Sequence, residues 1–217
     1  ALLRVLNAHG IDFVADEVVT GFGRTGQWFG AQTFGLAPAH MTVAKGITSG
    51  YFPLSAVAIG AELYADLERG SERWGTLAHA ATYAAHPVGA AAALKTLEII
   101  ERDGLVPHAA RMGERLGAGL RTYADHPLVG DVRACGLGGC LYFLRRDADD
   151  RRIDDDATAD ARCREVYEAL LDEGVVARPA GRSLILAPPL IVQPSEIDEI
   201  CRRVGLALDR VLRGTGE

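Results

Sequence analysis

The chain is missing the marks of several function classes. It has no run of roughly 18 consecutive apolar residues, so no membrane-spanning helix is expected. The opening segment, ALLRVLNAHG, has no basic stretch ahead of a long apolar core, so it reads as the tail of an amphipathic helix and not as a signal peptide. Cys135, Cys140, Cys163 and Cys201 form no C-x-x-C pair, which argues against a zinc or other metal site and against a redox dithiol. Scattered cysteines in an acidic, alanine-rich chain suit a reducing cytoplasm and no structural disulfide. Positive charge is in deficit: the net charge is −6, which disfavours nucleic acid and anionic membrane as partners. The one dense charge run, RRDADDRRIDDDATAD, mixes its signs and reads as a solvated loop. There is no internal repeat and no low-complexity linker.

What is present is a foldable, mostly apolar chain. At 217 residues, 48% of them hydrophobic, it can bury a sizeable core. IDFVADEV, MTVAKG and LSAVAIG are short apolar runs of the kind found in sheets covered on both faces, and the first two suit a parallel pairing. PVGAAAALKTLEIIER, from Pro87 to about Arg102, reads as a helix with proline at its first position and Gly104 beyond its end. Leu116, Leu120 and Tyr123 continue with helical spacing. The character changes near residue 105. Beyond it come a strand, a glycine turn and a strand (VGDVRACGLGGCLYFLRR), an amphipathic helix ended by Gly174, a strand pair in VVARPAGRSLILAPPLIV, and a last helix. Ser195 and Asp198 are placed to form a capping box for that last helix.

Residues 21–26, GFGRTG, match G-x-G-x-x-G, the dinucleotide-binding fingerprint. The context disagrees. The window about twenty residues on, AKGITSG, holds no ribose-binding acid, and Asp16 and Glu17 put two carboxylates ahead of the glycines, where a pyrophosphate would be repelled. FVADE resembles a Walker-B strand, but the chain has no G-x-x-x-x-G-K-[ST] loop to go with it. There remain two strand ends, one carrying Asp16 and the other Lys45. At the carboxyl ends of adjacent parallel strands both face the crevice where open α/β sheets bind ligands. They fit either a structural ion pair or the chemistry of pyridoxal phosphate, which uses a Schiff-base lysine and an acid at its ring nitrogen.

Four blocks in order, ADEVVTGFGRTGQWFG, MTVAKGITSGYFPLSAV, ATYAAHPVGAAAAL and ARPAG…LILAPPLIV, resemble the class III (omega) aminotransferases, pyridoxal phosphate enzymes of fold type I. The resemblance implies an α/β chain: residues 1–105 as part of the large parallel-sheet, cofactor-binding domain, and 106–217 as the smaller C-terminal α+β domain. It implies pyridoxal 5'-phosphate as cofactor, with Asp16 at the pyridine nitrogen, Val18 on the ring face, Lys45 as the Schiff-base and proton-transfer lysine, and Thr82 on the phosphate across a dimer interface. It points to Arg178 as a partner for the substrate carboxylate. The reaction implied is transfer of an amino group from an amine or omega-amino acid to a keto acid such as pyruvate. A same-fold aminomutase or decarboxylase, or a non-catalytic half-subunit, are the alternatives. On this resemblance GFGRTG is a tight connection beside the cofactor and the partner subunit. Family members are about twice as long. Their N-terminal half supplies a Gly-Ser pair for the phosphate and an aromatic that stacks on the ring, so the missing segment is expected upstream or on a second chain, and the assembly is expected to be a homodimer. Of the remaining candidates, His79 and His86 read as structural, with His86 at a helix cap. Trp28 and Trp74 suit packing as well as a pocket, and Arg24 suits either an acid or a substrate carboxylate.

Overall fold

Leu2–Ala8 forms helix α1, and the chain then enters strand β1, Val14–Asp16. The computed structural model describes residues 2–77, 79 and 81–214, and it divides into two units, 1–106 and 107–217.

In the first unit, β1 is followed by the one-turn helix α2 (Gly30–Thr33), strand β2 (His40–Val43), a 3₁₀ turn at Lys45–Ile47, strand β3 (Ala56–Ala58), helix α3 (Ala61–Trp74) and helix α4 (Pro87–Arg102). β1 pairs in parallel with β2, setting Val14 opposite His40 and Asp16 opposite Thr42. The long segment through α2 supplies the crossover that a parallel pair requires. β3 returns antiparallel on β2, with Thr42 opposite Val57. The connection between these two strands, residues 44–55, holds a 3₁₀ turn and irregular chain but no crossover helix to carry the chain back to the starting end, so the sheet is mixed and not wholly parallel. Coverage of both faces does not appear among the described residues: Val14 is 52% exposed and Val57 66%. The core here is small. Phe22, Ile100 and Val106 are buried, with Trp28, Phe29, Val43, Ile47, Leu97 and Leu105 packed around them. α4 runs between its sequence signals. The His86 ring accepts from the Val88 amide at 3.2 Å, Pro87 takes the first position, and Gly104 (φ 60°) follows the end.

The second unit is built on a four-stranded antiparallel sheet in the order β4 (Asp131–Ala134), β5 (Gly139–Tyr142), β7 (Ser183–Leu186), β6 (Arg178–Ala180). Its helices are α5 (Leu105–Arg121), whose first two residues belong to the first unit, α6 (Asp156–Asp172) and α7 (Pro194–Gly214). Along β7, Leu184 and Leu186 are buried while Ser183 and Ile185 are half-buried, the period-2 pattern of a sheet packed on one face. Leu116, Leu120, Leu141, Phe143, Leu170, Leu184, Ile197 and Leu208 make one continuous core.

Two expectations are corrected here. The α7 cap is not Ser195 with Asp198. Pro194, whose fixed φ suits the first helical position, starts the helix one residue earlier, and Glu196 reaches back to the Gln193 amide at 2.7 Å. Asp198 is thereby free to pair with Arg115 through two bonds of 2.6 Å. The charge run of 145–160 is also more than a solvated loop. Asp154 is only 8% exposed and accepts from the Arg145 amide (3.0 Å), the Arg145 guanidinium and Arg162. Asp155 caps α6 by accepting from the Thr158 amide at 2.7 Å.

Candidate active site

Period-2 alternation leaves Val14 and Asp16 exposed on one side of β1 and buries Ala15 on the other. The Asp16 carboxylate is oriented by its own turn and by its neighbour strand: Oδ1 accepts from the Val18 amide at 3.1 Å and from Thr42 Oγ1 at 3.4 Å. Lys45 lies three residues beyond Thr42 at the same end of the sheet and opens the 3₁₀ turn with φ 44°. A left-handed conformation at a residue with a side chain costs roughly 1–2 kcal/mol, and such strain clusters at functional sites. Among the described residues no ion pair joins Lys45 to Asp16 or to any other acid. The ion-pair alternative left open by the sequence is therefore absent from the geometry: Lys45 is exposed, and Asp16, also exposed, is hydrogen-bonded to Val18 and Thr42.

GFGRTG lies against Gly46, the residue after this lysine. Gly23 (φ 101°) takes a backbone conformation that L side chains avoid, and the Phe22 amide donates to the Trp28 carbonyl at 2.6 Å, closing the loop on itself. A Cβ on Gly46, the residue after Lys45, would lie 3.1 Å from Phe22 Cβ and 3.5 Å from the Gly21 carbonyl oxygen. The loop and the lysine turn are thus in close contact. The helix that follows the loop cannot act as a pyrophosphate cradle, because its first amides are taken: Gly30 N and Ala31 N donate to Glu17 at 2.8 and 2.6 Å. Within the loop Arg24 is half-buried, and burial lowers its guanidinium pKa from the ordinary value.

The structure brings Asp16, Val18 and Lys45 to one end of β1 and β2. Thr82 sits exposed in the turn that precedes α4. That turn is tied to the lysine segment through Phe52, whose ring packs on the His86 ring (centroids 5.1 Å apart) and whose carbonyl accepts from the buried Thr48 hydroxyl at 2.6 Å. Arg178 belongs to the second unit, where it opens β6 opposite Ile185 with its side chain exposed. Sequence reasoning missed Thr42, which orients Asp16, and Glu17, a residue only 2% exposed that the sequence presents as no more than a second negative charge. The signal for Glu17 was Thr20 three residues on, whose hydroxyl donates to its carboxylate.

The family model for aminotransferase class-III matches residues 1–208. Over 210 residues the chain is 41% identical to a diaminobutyrate–2-oxoglutarate transaminase of Halomonas elongata, covering 95% of this chain and 44% of that protein. It is 37% identical over 207 residues to a putrescine–pyruvate aminotransferase of Pseudomonas aeruginosa, again with 95% and 44% covered. The structure of the omega transaminase from Pseudomonas jessenii in complex with PMP superposes with a TM-score of 0.92 at 37% identity, over 99% of this chain and 47% of that one. The chain spans about half the length of the curated relatives it matches. A family model matched over nearly the whole chain, an α/β unit with an acid and a lysine at parallel strand ends, and a second antiparallel unit lead to one conclusion: the chain belongs to the class III aminotransferases.

Proposed function

We propose that this chain carries the lysine and the ring-nitrogen acid of a pyridoxal phosphate-dependent aminotransferase that moves an amino group from an amine or omega-amino acid to a keto acid such as pyruvate. The observation that carries the reading is the pairing of strand ends: Asp16 opposite Thr42, and Lys45 three residues further on without an ion-pair partner among the described residues. The donor set fits the cofactor. It offers a carboxylate for a protonated ring nitrogen, a primary amine for an aldehyde, and a hydroxyl at Thr82 for a phosphate. The bound cofactor supplies an electron sink for the substrate carbon. This chain supplies the rest. Asp16, oriented by Val18 N and Thr42 Oγ1, holds the proton on the ring nitrogen. Val18 covers a ring face. Lys45 would hold the cofactor covalently at rest, and its freed amine would move a proton between the substrate carbon and the cofactor carbon, acting as general base and acid. Thr82 donates to the phosphate across the interface of a homodimer. Arg178 receives the substrate carboxylate. The free thiols of Cys135, Cys140, Cys163 and Cys201 support a cytoplasmic setting. No helix among the described residues is long and apolar enough to cross a membrane.

Borohydride reduction of the cofactor-loaded protein, followed by peptide mapping, tests the assignment. The label is expected on Lys45. The chain's other lysine, Lys95, sits on α4 with its ammonium 2.6 Å from Glu98 and serves as internal control. A label on Lys95 alone overturns the reading.

A further inference from the structure

Glu17 is the most buried ionisable side chain of the first unit, and no step above uses it. Burying a carboxylate is costly unless donors replace its water. Here they do. Oε2 accepts from Gly30 N at 2.8 Å and, through a short bond, from Thr20 Oγ1, while Oε1 accepts from Ala31 N at 2.6 Å. The backbone of the same residue is equally engaged, its N–H donating to the Thr42 carbonyl at 2.9 Å and its carbonyl accepting from Gly21 N at 3.0 Å. One residue therefore ties β2, the near end of the GFGRTG loop and the far end of that loop together.

We propose that Glu17 is the positioning residue of this site: by pinning both ends of the loop it fixes the separation of Asp16 and Lys45. The inference rests on the amino-transfer reading. Its first arm is covalent, since Asp16 is the preceding residue and Thr42, which orients it, takes the Glu17 amide. The second arm runs through packing. The pinned loop presents Phe22 against Gly46, the neighbour of Lys45: a Cβ on Gly46 would lie 3.1 Å from Phe22 Cβ, a tight contact that only a shift of one side or the other relieves. Released from Glu17, the loop can swing, and the seat beneath the lysine turn moves with it.

Glutamine cannot substitute. Whichever carboxylate oxygen becomes the amide NH₂, a donor then faces the Gly30 or Ala31 N–H. In the holoenzyme, Glu17→Gln is expected to lower kcat about ten- to hundredfold, the scale of a misplacement of up to about 1 Å at a reacting group. KM should change far less, because Glu17 touches no substrate. The pH midpoint of the visible band of the lysine-bound cofactor should move as well, because it reports the Asp16–Lys45 geometry and not global stability. Thr20→Val removes one donor only and should shift kcat and the midpoint in the same direction by less, and Thr20→Ser should restore both. Unaltered kcat and midpoint in Glu17→Gln overturn the proposal, as does a loss confined to thermal stability. If Glu17→Gln does not fold, the Thr20 pair decides, and indistinguishable Val and Ser variants overturn it. A wild-type protein that takes up no cofactor overturns the aminotransferase reading itself, and this inference with it. A yellow, active wild type beside an unaltered Glu17→Gln protein overturns this inference alone.

Discussion

Gly46→Ala puts a single methyl group into the contact on which the lysine turn rests. The backbone at Gly46 is not left-handed, so the cost is purely steric. The new Cβ would lie 3.1 Å from Phe22 Cβ, 3.2 Å from Phe22 Cδ2 and 3.5 Å from the Gly21 oxygen. Carbon atoms prefer about 3.5–4.0 Å, so something must give by about half an ångström. Phe22 is poorly placed to yield: its amide is bonded to the Trp28 carbonyl at 2.6 Å, its ring meets Phe29 edge-on at 5.6 Å, and it is buried with Ile100 and Val106. The turn at Lys45–Ile47 is exposed or half-buried, so it moves instead. Overpacking of this kind costs about 1–3 kcal/mol. A displacement of half an ångström at the reacting amine is expected to cost about tenfold in kcat, given about a hundredfold for 1 Å. Steady-state turnover of the loaded enzyme and urea unfolding measure the two effects. Gly70→Ala is the control: it lies within α3, nothing stands within 4 Å of its Cβ, and alanine there should add roughly 0.5–1 kcal/mol of stability with turnover unchanged. A Gly46→Ala enzyme with wild-type turnover and stability would refute the idea that Phe22 supports the lysine turn.

Two further outcomes are expected. Asp16→Asn still accepts from Val18 N and Thr42 Oγ1 but carries no charge, so cofactor content by absorbance should persist while transfer falls about 10²–10³-fold, the scale for removing one electrostatic stabiliser; near-normal turnover would show that Asp16 serves only the fold. Asp154→Asn should cost about 3–5 kcal/mol at neutral pH, since it leaves Arg145 and Arg162 against an amide donor. The hydrogen-bonded Arg145 guanidinium first, and then Arg162, hold the Asp154 carboxyl well below the usual carboxylate range. Its contribution is therefore present above the unfolded pKa of about 3.9 and is lost as pH falls from there through the depressed folded value. Unfolding curves at neutral and acid pH should show the gap between wild type and variant narrowing in acid, and a gap independent of pH would count against the pair.

The parts of this structure legible in the sequence are those encoded locally. The apolar runs end where acids or a lysine begin, which marked the ends of β1 and β2 and placed Asp16 and Lys45 there. Pro87 and Gly104 bracket α4 because each acts on its own backbone, and the His86 cap reaches only two residues. What stayed hidden depends on partners far along the chain. Glu17 finds its amide donors 13 and 14 residues away, and inside an apolar run it looks like an ordinary strand-terminating charge. Asp154 is buried by Arg162 from the next helix and by Arg145 from the preceding strand exit, in a stretch whose composition otherwise indicates solvent. The antiparallel return of β3 followed from a connection with no helix in it, which apolar composition alone does not report.

The two units differ in how much apolar interior they own. The second holds a continuous core running from Ala109 to Leu208, whereas the first, which carries Asp16, Lys45 and Thr82, buries Phe22, Ile100 and Val106 and leaves Val14, Val57, Trp74 and Tyr83 exposed in a chain that spans about half the length of the curated relatives it matches. Local opening should be cheapest where fewest apolar groups hold a segment shut. Amide exchange is therefore expected to be slow across β5, β7 and α7 and fast around the lysine turn in the absence of ligand. A molecule that binds only the closed form of the first unit then adds its own mass-action term to the stability of that unit, about 2.7 kcal/mol at a hundred times its Kd. In this chain, occupancy of the site and order of the site are two readings of one equilibrium.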